Sequence, residues 1–136
     1  MQASEQHFLI VDDFAPMRRI VAGLLKELGY SRQTEADDGA TAWKILEAGA
    51  GNVDFVVTDW NMPLMDGIEL LRKIRSSPAL QHLPVLIITA ETRKENIMLA
   101  AQCGADGYIV KPFNTGTLER KIQHIMSRRS PLLSAA

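Results

Sequence analysis

Four short apolar runs of this chain each end in a residue able to handle a cation or a phosphate. FLIV runs into Asp12-Asp13, FVVT into Asp59, VLII into Thr89 and GYIV into Lys111. Singly, each has an ordinary reading: Asp12-Asp13 can open a turn or cap a helix, Thr89 can bond back to the local main chain, and Lys111 can be a solvated charge. On one edge of a fold they are harder to dismiss. Three carboxylates brought together raise one another's pKa unless a cation lies among them. A hard divalent cation is implied, and Mg²⁺ suits oxygen ligands, taking one or two carboxylates plus water and often a phosphate oxygen. A carboxylate is already ionised near neutral pH and is a competent phosphoryl acceptor that needs no general base. Transfer then depends on positioning and on neutralising charge over the phosphoryl oxygens. Lys111 supplies a compact positive charge and Thr89 a hydroxyl donor. Asp59 is expected between those two in the sheet and is the acceptor of choice, with Asp12 and Asp13 better placed to hold the metal.

Other chemistries fit poorly. There is no GxxxxGK[ST] loop and no GxGxxG after the first run, where DDFAPMRR puts carboxylates in place of a dinucleotide phosphate. His7, His82 and His124 are scattered, lack the H-E-x-x-H spacing and read as surface or packing residues. Cys103 is the only cysteine, so no intramolecular disulfide, Cys-based zinc site or Fe–S cluster can be built from this chain. It lies in an apolar helical stretch and reads as an inert thiol in a reducing cytoplasm.

The elements that must position these groups alternate in kind. Strands are expected at Phe8–Val11, Gln33–Ala36, Phe55–Thr58, Val85–Thr89 and Tyr108–Val110, mostly Val-, Ile- and Leu-rich as buried parallel strands are. The second is too polar to be central. The first helix has Pro16 at its start and Gly29 just past its end, with Met17, Ile20, Val21, Leu24, Leu25 and Leu28 expected on one face. Further helices are expected at Ala40–Ala48, Ile68–Ser76, Lys94–Gln102 and Thr117–Ser127, set off by Gly, Pro and small polar residues. About five βα units result, which implies right-handed crossovers and a doubly wound α/β domain with a parallel sheet covered on both sides. Ligands of such sheets bind beyond the carboxyl ends of the strands, where the four candidate segments end.

A chain of 136 residues fits one ordinary domain. Hydrophobic residues at 46% and charged residues at 23% describe a soluble globular protein rather than a disordered or membrane chain. A formal net charge of -1 gives no basic field for nucleic acid or anionic lipid, so neither is an expected partner. MQASEQHF lacks the layout of a secretion signal, and no apolar run approaches a membrane span. The expectation is a cytoplasmic domain over residues 1–129, followed by a short tail, 130–136, that frays.

The segments FLIVDDFAPMRRIVAGLLKELGY, DFVVTDWNMPLMDGIELL, LPVLIITAETRKENI and GYIVKPF together resemble the receiver domains of two-component signalling, most closely the chemotaxis (CheY-type) regulators. The resemblance covers nearly the whole chain, and the joint match of DD, DWNMP, TAE and KPF is highly specific. It implies a flavodoxin-like, five-stranded sheet of order 2-1-3-4-5 with five helices; the order is the family's and is not read from spacing. It implies that a histidine kinase phosphorylates Asp59 and that Mg²⁺ is held by Asp12, Asp13, Asp59 and the carbonyl of Asn61. Lys111 and Thr89 contact the phosphoryl group, while Asn61 and Glu91 flank it and influence hydrolysis. Thr89 moving toward the phosphate is coupled in the family to inward rotation of Tyr108. The docking positions for a flagellar motor switch peptide match Ile97, Ala101, Tyr108 and Lys121, and Trp60 matches a family residue beside the acceptor. A phosphatase is a further candidate partner, and a monomer is expected. Asp106, near the docking face, and Cys103 depart from the family's usual small residues, and the tail from Ser130 is extra.

By this resemblance the chain carries out its own phosphoryl transfer and self-dephosphorylation, and when phosphorylated it docks on the motor switch to control rotation in chemotaxis. The alternatives are a phosphate sink or relay shuttle that never docks, and a pseudo-receiver serving as an interaction module. The last is disfavoured because acceptor, metal and lysine residues are all present.

Overall fold

The structure, a computed structural model, describes residues 5–49 and 53–129. Ten elements alternate: β1 (His7–Val11), α1 (Ala15–Glu27), β2 (Arg32–Ala36), α2 (Gly39–Glu47), β3 (Phe55–Thr58), α3 (Gly67–Ser76), β4 (Val85–Thr89), α4 (Lys94–Gln102), β5 (Gly107–Val110) and α5 (Thr115–Arg129). All pairings are parallel and the order is β2-β1-β3-β4-β5. Every residue of β1, β3 and β4 is buried. The polar β2, RQTEA, is an edge strand and is largely open, as its composition requires.

The period-2 alternation of a strand sorts the core into two layers. Phe8, Ile10, Phe55, Val57, Leu86 and Ile88 face one side, where Val21 and Leu25 of α1 and Leu118, Ile122 and Ile125 of α5 cover them. Leu9, Val11, Val56, Val85 and Ile87 face the other, against α2, α3 and Ala100 of α4. Each fully buried Leu, Ile or Phe contributes about 1.5–3 kcal/mol. This two-sided cover fixes the sheet so rigidly that its strand ends can serve as a platform.

The α1 stripe differs from expectation at one position. Ile20 is 52% exposed, while Ala22 is buried. The stripe is centred on Val21 and Leu25, and at 100° per residue Ile20 lies about 140° around from Leu25, outside it. Met17, Leu24 and Leu28 flank the stripe, partly buried. Gly29, with φ of 96°, ends the helix in the left-handed conformation glycine favours. α5 begins two residues before its expected start, because the Asn114 side chain accepts the Thr117 amide at 2.9 Å. The tail from residue 130 lies outside the described residues. No helix among them is long and apolar enough to cross a membrane.

Candidate functional site

Just past β1 and β3 the ladder runs on by one residue: the Asp59 amide donates to the Val11 carbonyl at 2.9 Å and the Asp12 amide to the Ala36 carbonyl at 3.2 Å. Asp12 and Asp59 therefore stand at adjacent strand ends with their main chains held by the sheet. Asp12 is buried, Asp59 half-buried and Asp13 exposed, and one carboxylate oxygen from each lies within 4.8 Å of the others. An all-carboxylate set so closely spaced, with one member open to solvent, fits a hard divalent cation that keeps several waters.

Lys111, one residue past β5, reaches across β4 to this cluster. Its Nζ donates to Asp59 Oδ2 at 3.0 Å and to Asp12 Oδ2 at 3.2 Å. Asp12 Oδ1 accepts the Phe14 amide at 2.9 Å, and Asp59 Oδ1 accepts the Trp60 amide at 2.6 Å. Burial pushes the Asp12 carboxyl above its ordinary value, and the Phe14 amide and the Lys111 charge offset only part of that. Burial works against the Lys111 charge, yet its hydrogen bond to Asp59 and the two carboxylate charges outweigh it and raise the lysine pKa. The ammonium is thus charged throughout the neutral range.

The strand order corrects one expectation. Asp59 does not lie between Thr89 and Lys111; its strand lies between β1 and β4, and Thr89 occupies the strand between Asp59 and Lys111. The three are still brought to one edge because a lysine stem is long enough to pass over a neighbouring strand.

The β3–α3 connection is held shut by close backbone approach. The Gly67 amide donates to the Trp60 carbonyl at 2.8 Å, and the Gly39 amide to the Met65 carbonyl at 3.1 Å. A Cβ at Gly67 would collide with the Asp59 carbonyl, and one at Gly39 with Met65. Asp66 and Glu69 close a capping box at the start of α3, worth about 1 kcal/mol. Asn61, in this loop, is exposed next to Trp60.

Thr89 is buried at the end of β4, where its Oγ1 meets the Glu91 amide at 3.4 Å. The Tyr108 hydroxyl donates to the Glu91 carbonyl at 3.0 Å, and its ring stands edge-on to Trp60 with centroids 6.3 Å apart. Burial, then the charges of Glu91 and Asp59, push the Tyr108 phenol up to about 12. The Glu91 carboxylate is turned to Arg93: it accepts the Arg93 amide at 2.8 Å and the guanidinium at 3.2 Å through both oxygens. Those bonds hold its pKa down to about 2. Ile97 is half-buried on α4, and Ala101 on α4 and Lys121 on α5 are exposed, flanking Tyr108 of β5. The Asp106 carboxylate accepts from Arg75 of α3 and from the Val85 amide of β4.

Two contacts have no counterpart in the sequence reading. Arg18 of α1 donates to the Asp12 carbonyl at 2.7 Å, and Arg93 clamps Glu91. Both look like ordinary solvated helix and loop cations in the sequence; the only available signal was that Arg18 falls one turn into the helix after Asp12-Asp13.

The chain is 58% identical to chemotaxis protein CheY-3 of Vibrio cholerae over 120 residues, which span 88% of this chain and 91% of that protein. It is 54% identical to chemotaxis protein CheY of Pseudomonas aeruginosa, over 88% of this chain and 95% of that one. Among solved structures, chemotaxis response regulator CheY4 of Vibrio cholerae superposes with a TM-score of 0.77 at 33% identity, covering 88% of this chain and 98% of that one. The family description "Response regulator receiver domain" matches residues 8–123, the span from β1 to α5 that carries the carboxylate cluster, Thr89 and Lys111, and the chain belongs to that family.

Proposed function

We propose that this chain is a CheY-type chemotaxis response regulator, which takes a phosphoryl group on Asp59 from a histidine kinase and, so charged, docks on the flagellar motor switch. The observation that carries the reading is the Lys111 ammonium bridging Asp12 and Asp59 within a three-carboxylate cluster. An Asp59 oxygen attacks phosphorus; the P–O bond forms as the P–N bond to the donor imidazole breaks, and the electron pair returns to that nitrogen. The Lys111 charge is placed to follow the phosphoryl oxygens, and the Thr89 hydroxyl lies one strand away to donate to them. Asp12, Asp13, Asp59 and the Asn61 carbonyl would hold Mg²⁺, which supplies charge neutralisation at the phosphoryl oxygens. Asn61 and Glu91 flank the group and tune its hydrolysis, with a phosphatase as a further partner.

Phosphorylation is read out through Thr89 and Tyr108, which already meet at the Glu91 main chain. A two-state element is biased by whichever contacts differ between states. Beside Tyr108 a groove lined by Pro112, Phe113 and Thr117 opens on the α5 side. With Ile97, Ala101 and Lys121 it forms the face we assign to the motor peptide. The domain, residues 1–129, works as a diffusible cytoplasmic monomer.

The test is one assay with two readouts. A small phosphodonor with Mg²⁺ is expected to label the wild-type chain on Asp59, and no label would overturn the receiver reading. Beryllofluoride-activated chain is expected to bind the N-terminal peptide of a motor switch protein. Binding no tighter than that of unactivated chain would remove the motor and leave a phosphate sink.

A further inference from the structure

The peptide unit joining Asp12 to Asp13 is held from outside the carboxylate cluster. In a parallel ladder the N–H and C=O of one residue face the same neighbouring strand. The Asp12 amide bonds to the Ala36 carbonyl of β2, so the Asp12 carbonyl faces β2 as well. But β2 ends at Ala36 and offers it no further rung. A buried carbonyl needs a partner, and here it is Arg18, whose Nη1 donates at 2.7 Å. Arg18 is itself tethered, its Nε donating to Glu35 Oε1 of β2 at 3.1 Å, and its side chain is only 19% exposed.

That carbonyl belongs to the one planar unit shared by the two adjacent carboxylate residues, so holding it sets ψ of Asp12 and the plane from which Asp13 departs. Successive side chains of an extended chain point to opposite faces. For Asp12 and Asp13 to bring oxygens within 4.8 Å of each other and of Asp59, the chain must turn at this peptide, and the turn must be held. We propose that Arg18, braced by Glu35, is a positioning residue for the cation site: it sets the angle between the Asp12 and Asp13 carboxylates without touching the cation. The inference rests on the reading that Mg²⁺ binds Asp12, Asp13 and Asp59.

Charge alone predicts the opposite of positioning. A guanidinium near a carboxylate cluster repels a divalent cation, so a bystander Arg18 would weaken binding and its removal would tighten it. Loss of a partner that orients a metal ligand costs about 10–100-fold in affinity. Calorimetric titration of the full chain with Mg²⁺ separates the two by sign. Arg18→Met, which keeps the stem, is expected to weaken binding about tenfold. Arg18→Lys, able to reach the carbonyl but not Glu35 at once, is expected to recover part of the loss. Equal or tighter binding in Arg18→Met overturns the proposal. Should that variant fail to melt cooperatively, Arg18→Lys decides by the same rule, weaker binding supporting the proposal and equal or tighter binding overturning it. A wild-type chain that does not bind Mg²⁺ would instead sink the cation site itself, and this inference with it.

Discussion

The two ends of the sheet carry ion pairs of nearly equal burial and opposite design. At the carboxyl ends Lys111, with 16% of its side chain exposed, answers Asp12 and Asp59 with Asp13 close by. At the amino ends Arg75, 18% exposed, pairs with Asp106. Its remaining donors go to the carbonyls of Gly104, Gln81 and Leu83 at 2.6–3.0 Å, and Asp106 also accepts the Val85 amide at 2.8 Å. Burial therefore does not distinguish the ends; matching does. The planar five-donor fork of arginine staples α3 to the loops before β4 and β5. A lysine among surplus carboxylates leaves negative charge unmet, which a cation can then balance.

The sharpest way to break this comparison is to remove one acid from the crowded end. Asp59→Asn is expected to abolish labelling by a phosphodonor entirely, while the cooperative melt survives. Removing the staple should do the reverse. Arg75→Met takes the guanidinium away from Asp106 and from several carbonyls, and is expected to cost about 3 kcal/mol in urea unfolding with phosphoryl labelling of the folded fraction retained. If Arg75→Met melts like wild type, the two ends are not built differently.

Smaller effects sharpen the contrast within the crowded end. The raised pKa of Asp12 means that its ionised form is strained by folding, a cost absent below the ordinary value of 3.8 and growing as pH rises through the folded one. Asp12→Asn should therefore raise the thermal midpoint of the metal-free chain at neutral pH, while weakening Mg²⁺ binding by more than about tenfold. A lowered midpoint would mean the surplus charge is already balanced. Lys111→Ala should weaken signalling more than metal binding, and a collapse of Mg²⁺ affinity in that variant would contradict it.

What the sequence disclosed follows the same division. Periodicity and strand-end residue types are local signals, so ten elements and the groups at their ends were legible from residue order. Strand neighbours are not local: spacing put Asp59 between Thr89 and Lys111, whereas the family's strand order, which the sheet adopts, sets β4 between Asp59 and Lys111. The two arginines were invisible for a further reason. What Arg18 and Arg93 do depends on which carbonyl or carboxylate the fold leaves in reach, and a cation on a helix or loop looks alike in sequence whether it is solvated or clamped. The partner of Asp106 was out of reach for the same reason, since Arg75 is 31 residues away.

The smallest expected effect concerns Arg93, whose clamp on Glu91 lies at the surface with 69% of the arginine side chain exposed. Hydrogen bonds from the Arg93 side chain and amide hold Glu91 down to about 2 from an ordinary 4.5. A depressed acid contributes stability that is complete above its unfolded value and lost as pH falls through the folded one, so that contribution should fade between about pH 4.5 and 2, with the clamp itself opening near the lower value. Carboxyl ¹³C titration is expected to show Glu91 as the low outlier, to move it up toward 4.5 in Arg93→Ala, and to move it part of the way in high salt. The Tyr108 hydroxyl bonds to the main-chain carbonyl of Glu91 and feels its carboxylate only as a charge, so its ring signals should show no more than the small shift that loss of a nearby charge brings. If they move as far as in a variant chain that lacks the hydroxyl bond, clamp and tyrosine form one unit, and the responsive end of the sheet extends beyond the carboxylates to the face that carries Ile97 and Lys121.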